Sequence, residues 1–308
     1  MTQTRPARAA LTLGPIAYHW SPRIRRDFYA RIADEAPIDA VYVGEVVCSK
    51  RAPFVEDALP EVVERLRRGG KRVIHSSLAE VMLPRERKAT AALVAEDALE
   101  VEINNAAGLL GADGRRHRIG PFMNVYNAET LDELVRRGAE HVCLPVEMRA
   151  PSIALMAARG QQIGVGIEVQ VFGRAPLATS ARCYHARAHG RTKDNCRFLC
   201  EKDRDGMPLT TRDGSPFLRV NGIQTLSETY VALGDEVAAL QAMGVSHLRL
   251  MPELVDMVAV ARLFDGLRCG TMAPDEATAR LAELSARTPL SNGFYHGKPG
   301  HRHLVAQA

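Results

Sequence analysis

With 308 residues, 46% of them hydrophobic and 25% charged, and a net charge of +4, the chain has the composition of one large soluble domain or two small ones and can bury a sizeable core. No apolar run approaches the roughly 20 residues of a membrane helix, and the opening MTQTRPARAALTLGP lacks both the apolar length and the cleavage site of a signal peptide, which predicts a cytoplasmic protein. The small, dispersed charge excess argues against a nucleic-acid tract, and the reducing compartment argues against structural disulfides.

From residue 10 onward, short β-branched apolar runs alternate with amphipathic stretches of helical length, the pattern of repeated βα units on a parallel sheet. Strands are predicted at 11–16, 40–46, 72–75, 99–103, 117–125, 141–146, 162–171 and 246–250. Helices are predicted at 21–36 with Ser21 as N-cap, 56–70 closing on Gly69 and Gly70, 128–139, 226–244 and 255–267. Eight such units imply an α/β fold, a TIM-like (β/α)8 barrel forming a single domain over 1–308. The rival, an open doubly wound sheet, is disfavoured because no GxGxxG or GxxxxGK[ST] follows an early strand. Two stretches leave the alternation. After the seventh strand, 179–225 is a polar insertion containing a hairpin (MPLTTRDGSPFLRVNG) that turns at Asp213 and Gly214, and 288–308, with HGKPGHRH, reads as a loosely ordered tail.

The insertion holds three of the six cysteines, Cys183, Cys196 and Cys200, among arginines and lysines. Residues past the C-terminal ends of barrel strands gather on one face, so Cys48, just beyond the second strand, can meet them there. Cys143 sits inside an apolar strand and Cys269 ends a helix; both read as packing. The CxxxCxxC run of radical enzymes and the paired CxxC knuckles of zinc modules are absent. Four thiolates from scattered loops suit a 4Fe-4S cluster better than zinc, and Lys50, Arg51, Arg182, Arg187, Arg191, Lys193 and Arg197 could offset its negative charge. The plain alternative is solvated loop charge beside ordinary thiols.

Other polar residues near strand ends are Glu45, Asn124, Glu147, Glu168, Asn221 and Gln224. Of these, Glu45, Glu168, Asn221 and Gln224, with Lys50, Arg51 and Arg182, are candidate substrate contacts. The three cations could grip a dicarboxylate, and Glu168 is either an internal ion-pair partner or a pore-lining acid, with Arg182 as a possible mate. His185, His189, His296, His301 and His303 read as exposed loop residues. No catalytic acid–base pair, GxSxG, HExxH, flavin or nicotinamide motif stands out.

The stretches VYVGEVVCSKR (41–51), EVQVFGRAPLATSARCYHAR (168–187), NGIQT (221–225) and NGFYHGKPG (292–300) resemble the collagenase-like peptidase family, specifically its members in ubiquinone biosynthesis. Two positions depart from the family signature: Phe172 stands where most members have His, and Ala181 where most have Gly. The resemblance implies a 4Fe-4S cluster on Cys48, Cys183, Cys196 and Cys200. It also implies a heterodimer with UbiU, working with the lipid-binding accessory UbiT, that hydroxylates quinone precursors without dioxygen and takes the oxygen from prephenate. Other relatives resemble prephenate-dependent RNA hydroxylases, a second reading that needs a basic patch and aromatic residues for stacking and finds weak support in a chain with only 5% aromatics and a pI near 8.8. Proteolysis, which the family name suggests, is the least favoured, and a scaffold with a purely structural cluster is a further alternative.

Overall fold

The computed structural model describes residues 8–304 except 113, 286 and 287. In chain order the elements are β1 (Ala10–Leu13), α1 (Pro22–Glu35), β2 (Ala40–Val43), α2 (Ala52–Glu56), α3 (Leu59–Arg68), β3 (Arg72–Ser76), α4 (Pro84–Val94), β4 (Glu100–Ile103), α5 (Leu109–Ala112), β5 (His117–Ile119), α6 (Ala128–Arg136), β6 (Ala139–Cys143), α7 (Ala150–Ile163), β7 (Gly166–Thr179), α8 (Tyr184–Ala188), β8 (Met207–Thr210), β9 (Pro216–Asn221), β10 (Gln224–Ala232), α9 (Val237–Met243), β11 (His247–Leu250), α10 (Met257–Cys269), α11 (Pro274–Leu284) and β12 (Leu290–Ser291). Strands β1 to β7 run in parallel, and β11 bonds both β1 and β7, so the sheet closes on itself as an eight-stranded barrel ringed by helices. This is the expected TIM-like fold.

Alternation along each strand separates two layers. Val41, Val43 and Val73 join the large apolar layer under the helices, whereas Ala40, Tyr42 and Ile74 cluster inside the barrel. The helices supply the other half of the outer layer; α3, for example, buries Val62, Val63 and Leu66 on one face.

The eight expected strands each coincide with a barrel strand, though their ends differ for local reasons. Strand 117–125 stops at Ile119 because Gly120 and Pro121 lead into a 3₁₀ turn, Pro121 having no N–H to donate. Strand 162–171 begins only at Gly166, since Gly164 closes α7 in the left-handed conformation, and it then runs on to Thr179. Ser21 occupies the N-cap of α1 but makes no capping hydrogen bond; Pro22 at the first helical position sets the start instead.

The expected helix 226–244 is corrected over its first half. Gln224–Ala232 is a strand, paired antiparallel with the overhang of β7 and with β9, and only Val237–Met243 is helical. The run Thr225, Thr229, Tyr230, Val231 favours a pleated surface once a partner strand is there. Between β7 and β10, residues 180–223 form a lobe with α8 and the β8–β9 hairpin, in which Gly214 takes φ 85°.

The tail was expected to be loose, yet Thr288 to Leu304 is tied down. Leu290–Ser291 pairs with β10, the Tyr295 carbonyl accepts from the Ala150 N–H (2.9 Å), and the Asn292 side chain exchanges two hydrogen bonds with the Leu304 backbone. Residues 305–308 lie outside the described residues.

Candidate functional site

Cys48 follows β2 at the C-terminal end of the barrel. The loop carrying it is folded back by Glu45, whose Oε1 accepts from the N–H groups of Val47 (2.9 Å) and Cys48 (3.0 Å). Cys183 is the N-cap of α8, its Sγ accepting from the Ala186 N–H at 3.4 Å. Cys196 and Cys200 flank Arg197 and Phe198, consecutive left-handed residues (φ 48° and 53°) that turn the chain between them.

These four thiols line one small cavity with Lys50, Arg51 and Lys193. Cys48 and Cys196 pack on the buried Val46, Val47, Cys183, Ala186 and Ile223. All six cysteines are free. Burial pushes the Cys48 and Cys183 thiols above their ordinary range, while Arg51 pulls both down, so ionising them requires a positive charge at the site. Cys143 is buried in β6, and Cys269 accepts from Arg8 Nη1 at 3.3 Å.

Arg51 is 1% exposed. Its Nη1 donates to the Ala17 carbonyl (2.9 Å) and its Nη2 to Asn221 Oδ1 (3.0 Å), while Nε has no partner. Burial works against this cation, but Glu45, Cys200 and Cys48 outweigh it and raise the Arg51 pKa. The close approach depends on Gly222, with φ 63° in the tight β9–β10 turn, where a Cβ would stand 2.6 Å from Arg51 Nη2. Lys50 donates to the carbonyls of Lys193 and Asp194, both at 2.8 Å. The lobe is held further by the Trp20 indole N–H on the Arg204 carbonyl (2.8 Å) and by His19 and Phe54 against Phe198.

The remaining candidates separate. Asn221 Nδ2 donates to the Ala17 carbonyl (2.9 Å) and lies 3.4 Å from Gln224 Oε1, so both side chains brace the cysteine lobe against the barrel mouth. Arg182 is exposed, Arg51 is buried and Lys50 is bonded to backbone, so the three cations expected to grip a dicarboxylate do not share an open surface. Glu168 is wholly buried inside the barrel; its mate is Arg249, whose Nε donates to it at 3.0 Å, and not Arg182. Asn124 and Glu147 are exposed. His185, expected in an exposed loop, is buried: Nδ1 is 3.3 Å from the Val220 carbonyl and Nε2 is 2.9 Å from Asp203 Oδ2. His185, His189 and Asp203 offer ligand atoms that all lie within 4.8 Å of one another. Ser180 accepts from the Arg182 N–H (3.2 Å) and makes no hydrogen bond to His185 among the described residues.

Several residues of the barrel mouth escaped the sequence reading. Arg249, Glu102 and Asn104 line its floor, and Tyr18, Arg174 and Glu253 its wall. Tyr18 donates to Glu253 Oε2 (2.7 Å), the Arg174 N–H donates to Glu253 Oε1 (2.7 Å), and Asn104 Oδ1 is buried without a partner. The only local signal is a charge alternating with aliphatic residues inside a short strand, Arg249 in HLRL and Glu102 in EVEI, which puts the charge on the face opposite the helices but does not name its partner. The sequence pattern of peptidase family U32 matches residues 29–304.

Proposed function

The chain belongs to peptidase family U32, and from that premise we propose that it is an iron–sulfur protein of the UbiV kind. In this reading it is the subunit of a dioxygen-independent hydroxylase of ubiquinone precursors in which Cys48, Cys183, Cys196 and Cys200 hold a 4Fe-4S cluster. One observation carries the reading: four thiols from two remote chain segments line a single cavity whose wall also holds Lys50, Arg51 and Lys193. A soft, all-thiolate donor set suits iron–sulfur ligation, and the cations beside it, the buried Arg51 with the half-buried Lys50 and Lys193, suit its net negative charge. The Arg51 Nε–H, buried and unpartnered, is a donor of the kind that stabilises cluster sulfur.

When bound, the cluster supplies one-electron transfer. The chain's own residues do the holding: Glu45 sets the Cys48 backbone, Ala186 N–H supports the Cys183 sulfur, and Arg51 neutralises charge where water does not reach. Partnership with UbiU and UbiT and the use of prephenate are supported by the resemblance of the four quoted segments. Peptidase chemistry has less support, because Ser180 and His185 are each engaged elsewhere.

Replacing Cys196 with Ala tests the reading through iron and sulfide content and anaerobic quinone synthesis. Both are expected to be lost together. Intact synthesis by a protein without iron would end it.

A further inference from the structure

On the stretch of chain that joins Cys183 to Cys200 and runs on to β8, a second set of donor atoms converges. His185 lies inside α8 and His189 just past its end, one helical turn apart, so their rings share a face and stack with centres 5.6 Å apart at 27°. Asp203 follows the 3₁₀ turn Leu199–Lys202. One nitrogen of each ring and one Asp203 oxygen all lie within 4.8 Å of one another.

The hydrogen bonding of His185 decides what this set is for. The residue is 1% exposed. Its Nδ1 lies 3.3 Å from the Val220 carbonyl, which can only accept, so Nδ1 carries the proton. Nε2 then presents a lone pair, and it stands 2.9 Å from Asp203 Oδ2 without making a hydrogen bond, because the oxygen lies off the axis of the ring nitrogen. Two electron-rich atoms at that distance repel unless a positive centre is held between them. A proton on Nε2 points past the oxygen. A metal ion on the ring axis, at the usual ~2.0–2.1 Å from nitrogen, has that oxygen beside it as a second ligand. The carbonyl on the far ring nitrogen is the outer contact that fixes the tautomer of metal-binding histidines. The ion needs no preformed cavity: Nε2 is shut off from water, but Asp203 is half-buried and His189 exposed, so solvent reaches the two other ligands.

We propose that His185 Nε2, His189 and Asp203 bind a divalent transition-metal ion of the zinc class. Two imidazoles with one carboxylate suit such an ion, whereas magnesium and calcium take oxygen donors. By tying residue 185 to residue 203 the ion closes the base of the segment that carries Cys196 and Cys200. The site uses none of the four thiols and goes beyond the hydroxylase reading.

Anaerobic titration of the full chain with cobalt(II) tests it, because the spectrum of that ion reports its ligands: imidazole and carboxylate give only ligand-field bands, whereas thiolates add intense sulfur-to-metal charge transfer. The unaltered protein and Cys196→Ala are both expected to take up one cobalt ion without charge transfer, whatever the thiolates bind besides, so loss of the cluster reading leaves this one standing. His189→Ala, at an exposed position, and Asp203→Asn, which keeps the shape of the side chain, should each weaken that ion about 100-fold, the upper end of what losing even an outer contact costs a metal site. The metal-free melting temperature of His189→Ala should be unchanged. Undiminished affinity in either variant, charge transfer from every bound cobalt ion, loss of the ion in Cys196→Ala, or no uptake at all would each overturn the proposal.

Discussion

Glu253 shows how one residue's surroundings set its protonation. Burial raises its carboxyl to about 7, against the opposing pull of Arg174, the Arg174 N–H and the Tyr18 hydroxyl. Arg174 does not fix the Glu253 charge because it is shared: its Nη2 bonds Asp205 at 2.8 Å, while its Nε stands 4.0 Å from Glu253. The sign of the pH effect follows. Between the unfolded value near 4.5 and about 7 the folded protein holds a proton that the unfolded chain has released, so stability falls as pH rises through that window, by about 3 kcal/mol at most. Urea unfolding at pH 5 and pH 8 is the check. The wild type should lose stability relative to Glu253→Gln across that interval; parallel pH profiles would show that the carboxyl titrates normally.

At the scale of elements, Arg51 fastens three segments. It sits in the 3₁₀ turn after Cys48 and bonds the carbonyl of Ala17, beyond β1, and the side chain of Asn221, at the end of β9. Replacing it with Met leaves Asn221 Oδ1 buried without a donor, whereas the Ala17 carbonyl keeps its bond from Asn221 Nδ2. The expected loss is therefore about 1–3 kcal/mol, together with faster amide exchange across 183–223. Lys at this position should not restore the pinning, since an ammonium on a flexible stem lacks the planar fork that spans both acceptors. Unchanged exchange in the lobe would show that other contacts hold it.

The elements also show what could be read in advance. Barrel strands were legible because their helix-facing positions are aliphatic at every second residue, as Val101, Ile103, Leu248 and Leu250 are, even where the inward positions between them carry charge. The strand β10 was misread because LSETYVALGDEVAALQAMG joins a strand to a helix through four residues, 233–236, with Gly234 as their one breaker, and its strand half exists through pairing with a β7 overhang that local sequence does not announce. That Cys48 lies near Cys183, Cys196 and Cys200 was legible from their places after the second and seventh strands, and the four line one cavity. Arg249 and Glu102 were not, since their significance lies in facing each other across the barrel, a relation set by register between strands far apart in the chain.

For the whole molecule, the barrel is closed by polar contacts as well as by hydrogen-bonded strands. Arg249, 1% exposed, bonds Glu168 of β7 and Glu102 of β4 and lies with its guanidinium 4.0 Å from the Tyr42 ring centre on β2. Glu168 also accepts from Thr12 of β1 and Tyr42, and Arg118 of β5 donates to the Tyr42 hydroxyl at 3.1 Å. Six of the eight barrel strands meet in this group, with two carboxylates against two guanidinium groups. Burial disfavours the Glu168 charge, but Arg249 overrides it and holds the carboxyl far below its ordinary range. The His141 contact at 3.9 Å is not an ion pair, because burial keeps that ring neutral.

Removing Arg249 therefore strands two buried carboxylates at once. Arg249→Met is expected to cost about 3–5 kcal/mol, the range for breaking a buried pair by one partner. Glu168→Gln in the same background should recover part of that loss, because the stranded charge and not the lost contact is the larger penalty. The same logic makes the single variant regain stability on acidification, as its carboxylates protonate. Denaturant unfolding of both single variants and the double variant reads out the coupling. Strict additivity, with the double variant as unstable as the two losses summed, would mean that Arg249 and Glu168 are not energetically coupled and that a stranded carboxylate is not what makes the loss of Arg249 costly.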